Sequence, residues 1–258
     1  MEHVESADGT RIAFSRTGAG TPVVIVGGAF STSAAGEPLA AALAAEGLQG
    51  VTVDRRARAE SGDTKPYAPF REAEDLAAVI GAVGGRAAVL GHSSGAVLAL
   101  FAAGEGVPIS HLFLSEPPFL FGVSESAATL PDRLQALVDE GRPEEAVPLF
   151  QREAVGLPEP VIEQIRASPM FAGLVPLAQS LVYDATLTTD VATPTPAMTG
   201  ASMPVVILRG EPTYPVLVAA TDRLAELMPS AELVVVPESH DHGVDPVATA
   251  RLVRSRIP

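Results

Sequence analysis

Six short apolar runs recur along the chain with helical patterns between them, and no other feature constrains the fold as tightly. The runs cover residues 22–26, 51–53, 87–90, 111–114, 205–208 and 232–236. Each is too short for a helix and breaks off at a glycine, proline or polar residue, the pattern of a strand buried on both faces. Ala/Leu-rich or amphipathic stretches follow at about 34–46, 69–83, 93–103, 216–228 and 246–257. Strands alternating with helices at this spacing require right-handed crossovers, so the expected class is α/β, a mostly parallel sheet flanked by helices. An N-terminal hairpin precedes the first buried run, with Asp8-Gly9 at its turn and Ile12 and Phe14 alternating beyond it.

The alternation lapses after Pro118. Residues 119–202 carry helical patterns but no convincing strand, and prolines at 131, 143, 148, 158, 160, 169 and 176 are expected to divide them into short helices. Thr193-Pro194-Thr195-Pro196 reads as a loop leading back to the sheet. The expected organisation is an α/β core of residues 1–118 and 203–258, interrupted at 119–202 by a helical cap or lid. An insertion between strands is expected to cover the carboxyl edge of the sheet, where α/β proteins bind ligands.

With 47% hydrophobic and 19% charged residues, the chain can bury a large core. Its net charge of -14 repels phosphate backbones and anionic lipid, so neither nucleic acid nor a membrane is expected as a partner. Cysteine is absent, which excludes disulfides, thiolate metal sites and cysteine nucleophiles. Met1-Glu2-His3-Val4-Glu5 lacks the basic and apolar regions of a signal peptide, and every apolar stretch falls short of the ~20 residues of a membrane span. A cytoplasmic location is the expectation.

The chemistry concentrates where strand meets helix. Gly91-His92-Ser93-Ser94-Gly95 is G-x-S-x-G directly after an apolar strand and before an Ala/Leu helix. Such a turn must be sharp and strained, and small residues two before and two after the serine avoid clashes. It lifts Ser93 Oγ out of the sheet beside a helix N-terminus, which favours developing negative charge. Acyl transfer also needs an oxyanion hole. Its expected donors are the Ser94 N–H and the Ala29 N–H, the latter in the glycine-bearing loop Gly27-Gly28-Ala29-Phe30.

The base is expected in Pro237-Glu238-Ser239-His240-Asp241-His242-Gly243, after the last strand. Spacing alone does not choose between His240 and His242. The residue left over is a solvated loop residue or a hydrogen-bond partner behind the first. No carboxylate or third histidine is placed to complete a metal site with them, so no metal is expected. His92, inside the elbow, is expected to pack beside the site. The acid commonly follows the next-to-last strand, but Thr213 stands there and cannot hold a charge; Glu211 comes one position too early. Glu116, after the strand that follows the elbow helix, preserves the chain order serine, acid, histidine. It is the preferred acid.

Taken in order, Val23-Val24-Ile25-Val26-Gly27-Gly28, Asp54-Arg55-Arg56, the elbow and the terminal histidine loop resemble the α/β-hydrolase superfamily over essentially the whole chain. More narrowly, Glu116-Pro117-Pro118, a non-acidic residue at the usual acid position and His242-Gly243-Val244 resemble a bacterial branch of small serine hydrolases. The resemblance implies His242 rather than His240 as base, and supports Glu116 as acid. Where the family often has His-Gly this chain has Gly27-Gly28, and Ala57 and Ala59 replace two family glycines after Asp54-Arg55-Arg56. Alanine resists positive φ, so that loop is expected to be stiffer.

These expectations describe a serine hydrolase of a carboxylic ester, lactone or thioester, needing no cofactor and acting on a small apolar molecule. Gly28, Phe30, His92, Phe119, Phe121 and Tyr183 are the candidate substrate contacts, although Phe119, Phe121 and Tyr183 fit the cap's own core better, residue by residue. Cofactor-free lyase, cyclase or perhydrolase chemistry and a small-molecule-binding role on the same scaffold are the alternatives.

Overall fold

The computed structural model describes residues 1–257. The apolar runs form the inner strands of one eight-stranded sheet: β1 (Glu2–Glu5), β2 (Arg11–Gly18), β3 (Pro22–Val26), β4 (Gln49–Val53), β5 (Ala87–His92), β6 (Ile109–Ser115), β7 (Val205–Gly210) and β8 (Glu232–Val236). Their order is β1-β2-β4-β3-β5-β6-β7-β8. The hairpin pairs antiparallel, Val4 opposite Ile12, and β2 joins β4 antiparallel as well. From β4 to β8 every pairing is parallel.

The helices are α1 (Glu37–Ala45), α2 (Pro69–Ala82), α3 (Ser94–Gly104), α4 (Glu125–Asp139), α5 (Pro143–Phe150), α6 (Glu159–Arg166), α7 (Phe171–Leu174), α8 (Ala178–Asp190), α9 (Pro196–Thr199), α10 (Pro215–Leu227) and α11 (Pro246–Arg256). Because strand side chains alternate, each buried run feeds two cores. Val24 and Val26 point into the one built with α2, α3 and α10, while Val23 and Ile25 point into the one built with α1 and α11. That two-sided burial is why the runs are continuously apolar.

Helices α4 to α9 all lie between β6 and β7, in the stretch expected to be helical. They build a third core from Leu130, Leu134, Val147, Phe150, Leu181 and Val182, against which Ala29, Phe30, Ala57 and Tyr67 pack from the loops at the carboxyl edge of the sheet. The prolines divide this segment less than expected. Pro131 lies inside α4 and lacks the N–H that would bond the Ala127 carbonyl; the Thr189 hydroxyl of α8 donates to that oxygen instead, at 3.4 Å. Pro196, the last residue of the expected loop, opens one helical turn, Pro196–Thr199, capped by Thr195.

Candidate active site

Each predicted site residue lies in the insertion or at a strand end, loop or helix start on the carboxyl edge of the parallel strands. Ser93 occupies the turn between β5 and α3 at φ 55, ψ -127, a region costing a non-glycine residue about 1–3 kcal/mol. Its N–H donates to Ser115 O at 2.9 Å, tying the elbow to β6. Glycine is required on either side: a Cβ on Gly91 would lie 2.4 Å from Gly95 O, and one on Gly95 would lie 2.2 Å from Val26 O. Gly28 is equally confined, since its Cβ would meet Ser93 Cβ at 2.7 Å. The β3 loop therefore rests directly on the serine. Within the described residues neither the Ala29 nor the Ser94 N–H donates a hydrogen bond.

The structure brings His242, and not His240, to a carboxylate. His242 Nδ1 lies 2.5 Å from Glu116 Oε2, and Glu116 Oε1 accepts from the Gly210 N–H at 2.9 Å. Glu116 is 1% exposed. Burial pushes its pKa up, but the hydrogen bonds from His242 and Gly210 outweigh this and hold the carboxyl below its ordinary value. Thr213, at the family's usual acid position, also lowers it, although its buried hydroxyl has no partner in good hydrogen-bond geometry. A histidine whose Nδ1 faces a carboxylate carries its proton there, which leaves the Nε2 lone pair free. No hydrogen bond joins Ser93 Oγ to His242 in this structure.

His240 is exposed, with Nδ1 2.9 Å from Glu211 O. His92 packs against His242 with ring centroids 4.6 Å apart, and its Nδ1 is 3.1 Å from Ser115 Oγ. Desolvation, with the neighbouring His242, pushes its pKa down to about 3, so it stays neutral beside the site. Phe30 is half-buried and meets Phe150 edge-to-face at 5.4 Å. Phe121 is half-buried, and Phe119 sits 4% exposed in the sheet core. Tyr183 is 3% exposed and stacked on Tyr67 at 3.9 Å, its hydroxyl donating to Asp63. A cavity of about 240 Å³ opens beside His92, bounded by Ile25, Ser31, Leu39, Leu90 and Val244. Among the described residues no cluster of three or more His, Asp or Glu side chains is placed to hold a metal ion, and no single helix is long and apolar enough to cross a membrane.

Two features escaped sequence reasoning. The first is how far backbone strain extends beyond the serine turn. Of the eight described non-glycine residues with positive φ, Phe30, Glu116 and His242 belong to this site along with Ser93. Ala57 at φ 60 and Ala59 at φ 42 are also among them, so the alanines keep the left-handed backbone that glycines would take more readily. The second is a buried ionic cluster of Arg55, Arg58, Glu72 and Asp184 behind the β3 loop. An acid inside the apolar run Leu181-Val182-Tyr183-Asp184-Ala185 was its available signal, because such a charge is buried only when paired.

Similarity to known proteins agrees with this architecture. The sequence pattern of the alpha/beta hydrolase family matches residues 18–252. No curated protein matches the sequence. Among solved structures, an alpha/beta hydrolase from Sphaerobacter thermophilus DSM 20745 is 41% identical, with TM-score 0.88 over 98% of this chain and 99% of its own. An esterase from Exiguobacterium antarcticum (18% identity, TM-score 0.71, 98% of this chain and 97% of its own) shares the fold. So does an enol-lactonase from Burkholderia xenovorans LB400 (18% identity, TM-score 0.71, 98% of each chain). With its sheet order, its strained serine turn and a family match across nearly its whole length, the chain belongs to the alpha/beta hydrolase family.

Proposed function

We propose that the protein is a serine hydrolase that cleaves a carboxylic ester, lactone or thioester of a small apolar molecule through an acyl-enzyme on Ser93. The observation that carries this reading is the Glu116–His242 hydrogen bond of 2.5 Å beside a serine held at positive φ. Ser93 Oγ attacks the carbonyl carbon while His242 Nε2 takes the hydroxyl proton. Glu116 keeps the proton on Nδ1 and stabilises the imidazolium that forms. The Ala29 and Ser94 N–H groups hold the oxyanion. His242 returns the proton to the leaving oxygen or sulfur, then deprotonates the water that releases the acid and restores Ser93. The Ser93–His242 hydrogen bond that the first step needs forms in the substrate complex, as catalytic hydrogen bonds often tighten once substrate is bound.

Hydrolysis of esters is the chemistry named for two proteins of this fold, the Exiguobacterium esterase and the Burkholderia enol-lactonase, and it agrees with this site. The test is intact-mass analysis after treatment with a serine-directed fluorophosphonate. Labelling is expected in wild type and His240→Ala, absent in Ser93→Ala and nearly absent in His242→Ala. Folded wild type that is neither labelled by this probe nor by a smaller sulfonyl fluoride overturns the proposal.

A further inference from the structure

The two oxyanion donors come from different elements, Ala29 from the β3 loop and Ser94 from the start of α3. One side chain from the insertion binds the supports of both. Asp184 of α8 is fully buried. Its Oδ1 accepts from Ser94 Oγ and from Arg55 Nη1, each at 2.7 Å. Its Oδ2 accepts from Arg58 Nη2 at 2.7 Å. The same arginines grip the β3 loop: Arg58 Nη1 donates to Gly28 O at 2.6 Å and Ser31 O at 2.9 Å, on either side of Ala29, and Arg55 Nη1 reaches Gly27 O at 3.3 Å. Glu72 holds the far side of Arg55 through both its oxygens, at 2.6 and 2.8 Å.

We infer that Asp184 is a positioning residue that sets the spacing of the two oxyanion donors, so that the hole is complete only while α8 of the insertion is seated on the sheet. This rests on the serine-hydrolase reading of the same site. With Arg55, Arg58, Glu72 and Asp184 the cluster balances two positive against two negative charges. Every arginine contact to the loop is therefore made from a neutral, water-excluded unit. Removing Asp184 leaves two buried guanidinium groups facing one carboxylate, and the excess charge pulls water or the arginines themselves away from the Gly27 and Gly28 carbonyls. The Tyr67–Tyr183 stack, with Tyr67 donating to Glu72 at 2.8 Å, holds the neighbouring turn of α8 to the same cluster. Breaking any one link loosens the hole without touching Ser93 or His242.

The experiment compares wild type, Asp184→Asn and Ser94→Ala on p-nitrophenyl butyrate, with active sites counted by fluorophosphonate titration. Ser94→Ala removes one link to Asp184 and keeps the Ser94 N–H. A positioning role lowers kcat per titrated site, roughly 10- to 100-fold for Asp184→Asn and about 3- to 10-fold for Ser94→Ala, with KM changed less than about twofold, since removal of a whole oxyanion donor costs about 10²–10³. A merely structural role lowers the number of titratable sites and the melting temperature but leaves kcat per site at the wild-type value, and that result overturns the inference. Should Asp184→Asn fail to fold, Ser94→Ala decides alone, an unchanged kcat per site refuting it. Absence of titratable sites in folded wild type instead refutes the serine-hydrolase reading beneath it.

Discussion

Replacing Glu116 by Gln isolates the contribution of a charge, because the two side chains have the same shape. Glu116 uses both oxygens: one faces His242 Nδ1 at 2.5 Å and the other accepts from the Gly210 N–H at 2.9 Å. Gln has one oxygen. If it stays on Gly210, the amide NH₂ points at Nδ1, which must then accept, and the imidazole proton moves to Nε2, where it blocks the base. If the amide turns over, NH₂ confronts the Gly210 N–H in a buried site, at about 1–3 kcal/mol, and the developing imidazolium has lost its counter-charge. The equivalent acid-to-amide exchange in a serine protease triad lowers kcat by about 10⁴. With one costly but productive orientation open here, a loss of about 10² to 10⁴ is expected, or about 3–5 kcal/mol at 1.36 kcal/mol per tenfold. The assay is kcat/KM on p-nitrophenyl esters, paired with thermal melting to establish that the variant is folded. A folded Glu116→Gln enzyme within about fivefold of wild type refutes the argument and reduces the Glu116–His242 bond to loop packing.

The same variant answers a stability question. The folded carboxyl of Glu116 lies below its unfolded value, so the unfolded chain binds the extra proton and this group's contribution, present above the unfolded value, is lost as pH falls through the folded one. The urea midpoint of wild type is therefore expected to fall more steeply below about pH 4.3 than that of Glu116→Gln, and parallel profiles contradict the shift. Gly28→Ala places a Cβ 2.7 Å from Ser93 Cβ, with His92 O at 3.1 Å, so fluorophosphonate labelling should slow by at least about 10²-fold as the loop retreats from the oxyanion. Equal labelling rates dismiss that contact. Ala59→Gly relieves an exposed left-handed residue at φ 42 and should stabilise the fold by about 0.5–1 kcal/mol in urea titration; a loss of stability counters the strain reading.

The parallel sheet was legible because burial on both faces writes itself into the sequence as runs such as 22–26, whose alternate residues enter two different cores. The strained serine turn was legible for a similar reason: Gly91 and Gly95 stand where backbone oxygens approach within 2.4 Å of any Cβ. Glu116 was reached through chain order and the resemblance carried by Glu116-Pro117-Pro118, since nothing local separates a triad carboxylate from a loop residue before two prolines. Between His240 and His242, spacing was silent, and the choice came from family resemblance. What distinguishes the two in the structure is long-range: His242, and not His240, meets Glu116 across 126 positions of chain. Asp184 was missed because a helical pattern registers an acid as a solvent-facing residue unless its partners, here 126 and 129 positions away, are known. Pro131 misled for the complementary reason: a break in one helix is repaired by a hydroxyl from another.

Glu116 as the proposed acid has a structural consequence. When a carboxylate follows β7, that strand supplies the acid itself; in the proposed arrangement β6 supplies it, and the end of β7 contributes only the Gly210 N–H. The β7 and β8 loops must then be held in register by other means, because His242 reaches past β7 to its partner. They are laced together by backbone: Glu211 N–H donates to Ser239 O, and Asp241 N–H to Pro212 O, while the His240 ring meets Glu211 O. Glu116 is fixed in turn by its own N–H on Leu208 O. These ties over-determine positive φ at Glu116, Asp241 and His242, which is the condition under which such strain persists in a folded chain. His240 thus belongs to the lacing, and on the proposed reading its loss should loosen the loop that carries His242 while leaving Ser93 reactive.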